Sequence, residues 1–433
     1  MSYSELVGWM FNLERFGIKL GLDNMTEFSS RIGNPHHDFR SIHVAGTNGK
    51  GSVCAFAASI LKEKGLKVGL YTSPHLVDFR ERIKVNGRDI PARDVVRIGT
   101  ELRGEMQSMA AESPEKQLTF FEFTTGVAFK YFGEQRVDIA VVEVGMGGRL
   151  DATNIIVPEV AAITRIGLEH TNYLGQTIPE IAREKAGIIK DGARVVTCER
   201  APEALQVISG ACDKKHAELR RIGKDFDTSA VKQSLAGTAF DYQGRRSYHG
   251  LRTRLLGSFQ AENAAAAIAI VENLADTGLT VEEGEIRRGL VGTKWPGRTD
   301  IVSRRPLVIF DGSHNPDGIT RTVTCFNELG ITPLTYVIAC MDDKDARGIV
   351  RALAPTAAKM IITRAKYKRA LEVNKLEGVV KEVFTGPMTV IEQSDSALDH
   401  GIENIEGKGL CAIGSLYLVG EALQWWRNRR RKR

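Results

Sequence analysis

Ile42-His43-Val44-Ala45-Gly46-Thr47-Asn48-Gly49-Lys50-Gly51-Ser52 is the stretch that decides the fold. A short apolar run enters, three glycines turn the chain, and a lysine and a serine follow. Residues 53–64 then leave as an apolar, helix-compatible segment. Strand, glycine turn and helix in that order make a phosphate-binding loop. Glycine lets backbone N–H groups point at an anion, and the helix N-terminus adds partial positive charge. Lys50 is a point charge within reach of the outer phosphates. The loop departs from a strict Walker A: Val44 stands where the first glycine is expected, and Gly51 separates Lys50 from Ser52. The alternative is a plain βα turn with a surface lysine. GTNGKGS matches by chance far less often than a lone GxGxxG.

The rest of the chain extends this pattern. Residues 1–40 read as helical, with Phe11, Phe16, Ile18, Leu20, Leu22 and Met25 as apolar anchors. Residues 67–71 read as a second strand ending at Thr72-Ser73-Pro74-His75, and Val85-Asn86-Gly87-Arg88 carries a hairpin signal. Residues 119–134 predict a helix capped by Thr119. Residues 137–144, VDIAVVEV, are apolar almost throughout, as in a strand buried on both faces, and Gly145-Met146-Gly147-Gly148-Arg149 breaks the run. A further strand at 160–164 leads to Gly167-Leu168-Glu169-His170, and a helix at 177–190 contains Glu184-Lys185. After it come a strand at 193–197, a helix at 201–216, short antiparallel strands within 219–258, and a helix at 261–274. Trp295-Pro296-Gly297-Arg298 marks a boundary, and past it strands at 307–310, 334–338, 359–362, 389–391 and 410–413 alternate with helices. Strand–helix alternation predicts parallel sheets in both halves: an α/β protein with domains at 1–295 and 296–433.

Composition sets outer limits. The chain has 433 residues, 42% of them hydrophobic and 26% charged, as in a globular protein of two domains. The longest apolar run, 264–271, is too short to span a bilayer. Six scattered cysteines form no C-x-x-C pair, which argues against zinc or a disulfide framework and for a reducing cytoplasm. Residues 427–433 carry six basic side chains that account for the whole net charge of +6. The body is therefore not a basic nucleic-acid binder, and the tail reads as a solvated end with a weak polyanion contact as the alternative.

In open α/β sheets functional groups gather at strand carboxyl ends. The phosphate loop, Ser73, Glu143 and His170 all follow or end expected strands. A hydroxyl, a carboxylate and an imidazole beside phosphates could hold Mg²⁺, which takes few protein oxygens plus water and phosphate, although histidine is an uncommon ligand for it. Each residue keeps a plainer reading: Ser73 as a turn cap, His170 as a structural histidine, Glu143 as half of a buried salt bridge. Glu143 is the strongest of the three, because a carboxylate inside an apolar strand is costly unless paired or metal-bound.

HVAGTNGKGS, YTSPHL, EVGMGGRLDATN, HTNYLG, REKAGI, WPGR and DGSHNP occur here in one order over roughly residues 10–425. In this the sequence resembles the dihydrofolate synthase/folylpolyglutamate synthase family, a branch of the Mur ligases. The resemblance implies a P-loop ATP-binding domain followed by a smaller Rossmann-like glutamate ligase domain, and an ATP-dependent amide ligase adding L-glutamate to dihydropteroate, to tetrahydrofolate, or to both, through an acyl phosphate. It implies that Gly49, Lys50, Gly51, Ser52, Asn263, Arg298 and Asp311 bind ATP, and that Ser73, Glu143, His170 and a carbamylated Lys185 hold two Mg²⁺ ions. Catalytic roles fall on Lys50, Lys185, His170 and Arg298. Lys19, Leu20, Gly21, Thr119, Phe120, Phe121, Glu122, Leu150, Asp151 and Ala152 match pterin-contacting segments of bifunctional members, and His314 and Ser415 match positions receiving glutamate. From the residues alone Lys185 is a helical lysine, Arg298 a linker residue, and Asp311 a possible cap of its own turn. The expected partners are small molecules, with no nucleic acid and no membrane, and the expected state is a monomer whose halves close about 292–297. Glu169 stands where the family usually has Asp, Phe259 where it often has His, and Ser313 where Ala is common. Two other readings share the loop: a Mur-type ligase for another carboxylate, and a nucleotide-binding regulator without catalysis.

Overall fold

The computed structural model describes residues 1–17, 19 and 21–431. Ile18 and Leu20, named above, and the last two basic residues of the tail lie outside the described residues. The chain forms two compact units: residues 1–229, 241–251 and 262–293, and residues 230–240, 252–261 and 294–433.

The first unit is built on eight strands: β1 Arg40–Ala45, β2 Val68–Tyr71, β3 Ile83–Val85, β4 Arg88–Asp89, β5 Ile139–Glu143, β6 Val160–Ile163, β7 Arg194–Thr197 and β8 Glu218–Arg221. Their order is β4-β3-β2-β5-β1-β6-β7-β8. From β2 to β8 all neighbours are parallel. β1 sits between β5 and β6, so the chain leaves it toward β2 on one side and later fills the other. Such a switch point opens a crevice at the strand carboxyl ends. The strands β1 and β5 are almost wholly buried, which is why they read as continuous apolar runs.

Helices cover both faces. The Phe-rich helix Phe120–Gln135 packs with Tyr3–Asn12 and Ala92–Glu112 around Phe28, Phe123, Phe129 and Phe132. Each such fully buried side chain contributes about 1.5–3 kcal/mol. Helix Ile178–Ala186 joins Pro202–Lys214 over β6 and β7, about Ile163, Ile188 and Val195. Helix Lys50–Glu63 meets Glu283–Gly292 so closely that a Cβ on Gly289 would lie 2.5 Å from Ile60 Cα.

Strands β9 Asp227–Ser234, β10 Gly237–Gln243 and β11 Ser247–Thr253 form a separate sheet ordered β11-β10-β9. The second unit carries β12 Asp300–Arg304, β13 Leu307–Phe310, β14 Leu334–Ile338, β15 Ala357–Arg364, β16 Met388–Gln393 and β17 Gly409–Ile413, ordered β12-β13-β17-β14-β15-β16. All pairs from β13 to β16 are parallel.

Both sheets are parallel as expected except at their edges, where the β3–β4 hairpin follows the Asn86-Gly87 signal and β12 adds an antiparallel strand that was not expected. β3 runs antiparallel to β2 and β4, and β12 antiparallel to β13. The cause is connection length. Asn86-Gly87 and Arg305-Pro306 are the only residues joining β3 to β4 and β12 to β13. Two residues can make a hairpin but not a crossover. Asn86 and Gly87 both have positive φ, 49° and 75°, as the tight hairpin turn demands. β12 had no sequence signal of its own, and polar β8 is a parallel edge strand instead of part of an antiparallel set.

Gly46, at φ 145°, ends β1 where a Cβ would lie 1.8 Å from Thr164 Oγ1. Gly65, at φ 90°, has nothing within 4 Å of that position. Gly65→Ala should cost about 1–2 kcal/mol from left-handed backbone alone. Gly46→Ala should cost about 3 kcal/mol or more, since a clash adds to strain. Urea unfolding of both variants measures the difference, and equal losses would contradict the close approach of Gly46 to Thr164.

Candidate functional site: a phosphate loop with two converging lysines

Four adjacent strands, β2, β5, β1 and β6, bring Ser73, Glu143, the phosphate loop and the 165–170 turn to one edge of the first sheet. The loop is held from the β6 side. Arg165 O accepts from Thr47 N at 2.8 Å and Asn48 N at 3.3 Å, and Thr47 Oγ1 bonds both the N–H and the carbonyl of Gly167 at 3.1 Å. Gly49 caps helix Lys50–Glu63 in a left-handed conformation, φ 95°, with no side-chain cap. The first N–H groups of that helix are thus left for a ligand. A Cβ on Gly49 would stand 2.5 Å from Asn263 Oδ1, so the amide of Asn263 lies directly on the loop. Arg165 also pairs with Glu262 at 3.1 Å, tying the helix that carries Asn263 to the loop from the side.

Two amines meet at one carbonyl. Lys50 Nζ donates to Gly46 O at 3.0 Å, and Lys185 Nζ donates to the same oxygen at 2.9 Å. Lys185 is 4% exposed. Burial, reinforced by the charge of Lys50 and opposed by Glu169 and Asp151, brings its pKa down to about 7. Its helix reaches this position because two glycines remove side chains from the contact. A Cβ on Gly148 would lie 2.9 Å from Glu184 O, and one on Gly187 2.3 Å from Arg149 Cβ. Asn154 Nδ2 closes the joint, donating to Arg149 O at 2.9 Å and Gly187 O at 3.1 Å.

Glu143, 5% exposed at the end of β5, accepts from Ser73 N at 3.1 Å. The structure thus unites Ser73 and Glu143. His170 lies at the tip of the next turn, left-handed at φ 52°, with Nε2 3.9 Å from Glu169 Oε1. Among the described residues no three His, Cys, Asp or Glu groups converge as a metal cage. A buried carboxylate at the rim of a phosphate loop fits an ion that draws its other oxygens from phosphate and water.

The pterin-matched residues divide into two groups. Phe121 lies across Gly145, whose Cβ would be 2.5 Å from the ring, and stacks on Tyr71 with centroids 6.0 Å apart. Asp151, 6% exposed, accepts from Met146 N at 2.9 Å, and Ala152 is buried beside it. Phe121 and Asp151 therefore meet at the turn after β5. Leu150 is half-buried in the same turn. Phe120 instead stacks on Phe11 at 5.3 Å under the Arg82 guanidinium. Thr119 and Glu122 form a capping box in which each bonds the other's backbone N–H. Burial raises the Glu122 pKa. Lys19 Nζ braces Glu115 O and Gln117 O at 3.1 and 2.8 Å, just ahead of that cap, and Gly21 has φ 156°.

In the second unit, β13 and β17 are neighbours in register, so the turn 311–316 and Ser415 share a sheet edge. Asp311 is 2% exposed and both its oxygens are occupied. Oδ2 takes Thr299 N at 2.7 Å, and Oδ1 takes Ser313 N at 2.9 Å and Thr322 Oγ1 at 3.2 Å. With Gly312 N donating to Gly297 O at 2.8 Å, this carboxylate anchors the turn bearing Arg298. His314 Nδ1 lies 2.8 Å from Gly312 O. Ser415, 1% exposed, accepts from Tyr417 N at 3.2 Å as the cap of helix Leu416–Arg431.

Comparison with known proteins fits this geometry. Residues 44–271 match the Mur ligase middle domain, and residues 297–415 the Mur ligase glutamate ligase domain. The chain is 33% identical over 429 residues to the dihydrofolate synthase/folylpolyglutamate synthase of Bacillus subtilis, covering 97% of this chain and 98% of that one. The chain belongs to the dihydrofolate synthase/folylpolyglutamate synthase family of Mur ligases. It is 35% identical to a Haloferax volcanii protein named probable bifunctional folylpolyglutamate synthase/dihydropteroate synthase, of whose length it spans about half, 51%. It superposes on an Escherichia coli enzyme solved with DHPP and ADP with a TM-score of 0.87 at 30% identity, covering 98% of each chain.

Within the family's motifs the sequence left several fixing residues unassigned. Thr47 and Asn154 stand inside quoted motifs, yet only the fold shows what they bond. Arg165 and Glu262 are 97 positions apart and carry no shared sequence signal.

The lowered pKa of Lys185 has a thermodynamic signature. Between about pH 7 and its unfolded value near 10.4 the unfolded chain binds the extra proton, so this lysine makes stability rise with pH. Lys185→Met removes that dependence. In metal- and bicarbonate-free buffer its stability relative to wild type should be greatest at or below neutral pH and shrink as pH rises. Urea unfolding along a pH series checks the sign.

Proposed function

We propose that this chain is an ATP-dependent ligase that joins L-glutamate to the carboxylate of dihydropteroate, of tetrahydrofolate, or of both. The observation that carries the reading is the convergence of Lys50 and Lys185 on Gly46 O, beside Glu143 and Ser73, at a helix N-terminus without a side-chain cap. Such a site suits a polyphosphate whose terminal group is transferred.

In this proposal an oxygen of the acceptor carboxylate attacks the γ-phosphorus of ATP and ADP leaves. The glutamate amine then attacks the acyl carbon, loses its proton, and inorganic phosphate leaves. Charge on the transferring oxygens is met by Lys50, by the N–H groups of Gly49, Gly51 and Ser52, and by Arg298. Asn263 orients the nucleotide base against Gly49. Asp311 contributes to ATP binding chiefly by fixing the Arg298 turn, since its oxygens already serve Thr299, Ser313 and Thr322. His314 and Ser415 receive glutamate.

Two Mg²⁺ ions, held by Ser73, Glu143, His170 and a modified Lys185, would supply charge neutralisation at the phosphates. A pKa of about 7 leaves much of Lys185 as the free amine near neutral pH, the form that adds to CO₂ and sheds a proton to become a carbamate. That change would turn a buried cation into an anion facing a cation. Phe121 and Asp151, meeting at one turn, favour use of dihydropteroate: a ring to stack on, and beside it a carboxylate that fixes the turn through Met146 N and Thr153. The chain is proposed to work as a monomer in the cytoplasm, a reducing compartment that suits its six buried free cysteines.

Dihydropteroate and tetrahydrofolate offered separately with ATP and glutamate should each be tested for phosphate release and for a product one glutamyl unit heavier by mass spectrometry. Lys50→Ala should lower turnover by about 10²–10³-fold or more. No product with either acid, alongside intact ATP binding, would reject the proposal.

A further inference from the structure

We infer that His43 is a positioning residue for the acid substrate: from the centre of β1 it holds Thr153, and through Thr153 it holds Asp151 and the 145–151 turn. This rests on the proposed function, which gives that turn to the pterin-bearing acid.

His43 is 0% exposed, between Val142 of β5 and Ala161 of β6 in the sheet register. Its Nε2 lies 2.8 Å from Thr153 Oγ1, and its Nδ1 is buried with no hydrogen-bond partner among the described residues. A leucine would fill this place without a dry nitrogen, so the chain gains from the imidazole only through Nε2. The direction of the bonds follows from counting protons. Asp151 Oδ1 accepts from Thr153 N at 3.0 Å and from the Thr153 hydroxyl, while Oδ2 accepts from Met146 N. A hydroxyl has one proton. With Asp151 ionised, Thr153 gives it to Asp151 and accepts from His43, which places the proton on Nε2. His43 is neutral, burial taking its pKa down to about 3.

The relay ends where the substrate is proposed to sit. Met146 follows Gly145, the residue covered by Phe121, so the bond from Met146 N to Asp151 sets the carboxylate and the stacking ring relative to each other. On the other side, Lys190 Nζ donates to Asn154 O at 2.9 Å, holding the same short helix Ala152–Ile155, and its charge adds to burial in keeping His43 neutral. The motif residues His43 and Thr153 are 110 positions apart, and only the fold joins them.

The test compares His43→Leu and Thr153→Val, which cut the relay at either end, with His43→Gln and Thr153→Ser, which keep an N–H donor and a hydroxyl. Dihydropteroate and ATP dissociation constants are measured separately on each folded full-length variant. The cutting variants should weaken dihydropteroate by about tenfold, equivalent to about 1.4 kcal/mol, and leave ATP unchanged. The conservative variants should recover most of the loss. In histidine-labelled wild type, ¹⁵N spectra at neutral pH should show the Nε2–H tautomer for the resonance that His43→Gln removes. If His43→Leu does not fold, Thr153→Val decides. Equal weakening of both ligands, no weakening of either, or an Nδ1–H tautomer overturns the inference and leaves the proposed function standing. Failure of the wild type to bind dihydropteroate or any reduced folate overturns both.

Discussion

The carbonyl of Gly46 accepting two ammonium groups is the constraint from which the rest of the first unit follows. That oxygen is free to do so because Gly46 adopts a backbone conformation closed to other residues, against Thr164. Two positive charges so close repel each other, and burial makes the repulsion stronger. The arrangement is therefore sustained by everything packed around it: the Gly148–Gly187 contact that brings helix Ile178–Ala186 down, the Asn154 clamp, and the Arg165 carbonyl under the loop. Burial first, and then the charge of Lys50, lowers the pKa of Lys185 and favours release of its proton, which relieves that conflict.

Much of this was legible in the sequence, for physical reasons that can be named. Buried parallel strands read as apolar runs, so β5 and β13 could be placed from residue type alone. The phosphate loop was legible because its glycines answer a local steric demand. Thr119 was readable as a cap because capping is decided within four residues. The antiparallel edges were harder. The Asn86-Gly87 turn announced one, but β12 is a half-exposed strand paired on one side, and its five residues carry no strong alternation.

The site divided in the same way. Residues that act through the backbone, such as Gly49, could be read directly. Those that act through distant partners could not. Lys185 is an ordinary helical lysine until the fold sets it 139 positions away against Gly46. Asp311 read as a nucleotide contact through the resemblance, or as a cap of its own turn. The structure makes it a four-way tie: three donors besides its own turn's N–H converge on it, from Thr299 twice and Thr322 once. Long-range bonding of this kind leaves no trace in local pattern.

Asp311 also couples two parts of the second unit mechanically. Its carboxylate staples the strand-leading Thr299 to the turn that carries His314, and Gly312 N to Gly297 O doubles the staple. The backbone on either side of Arg298 and the turn before His314 are therefore tied to one carboxylate. Any displacement of the 297–299 backbone is thereby transmitted to the 312–314 turn, so the two segments travel together as one jaw.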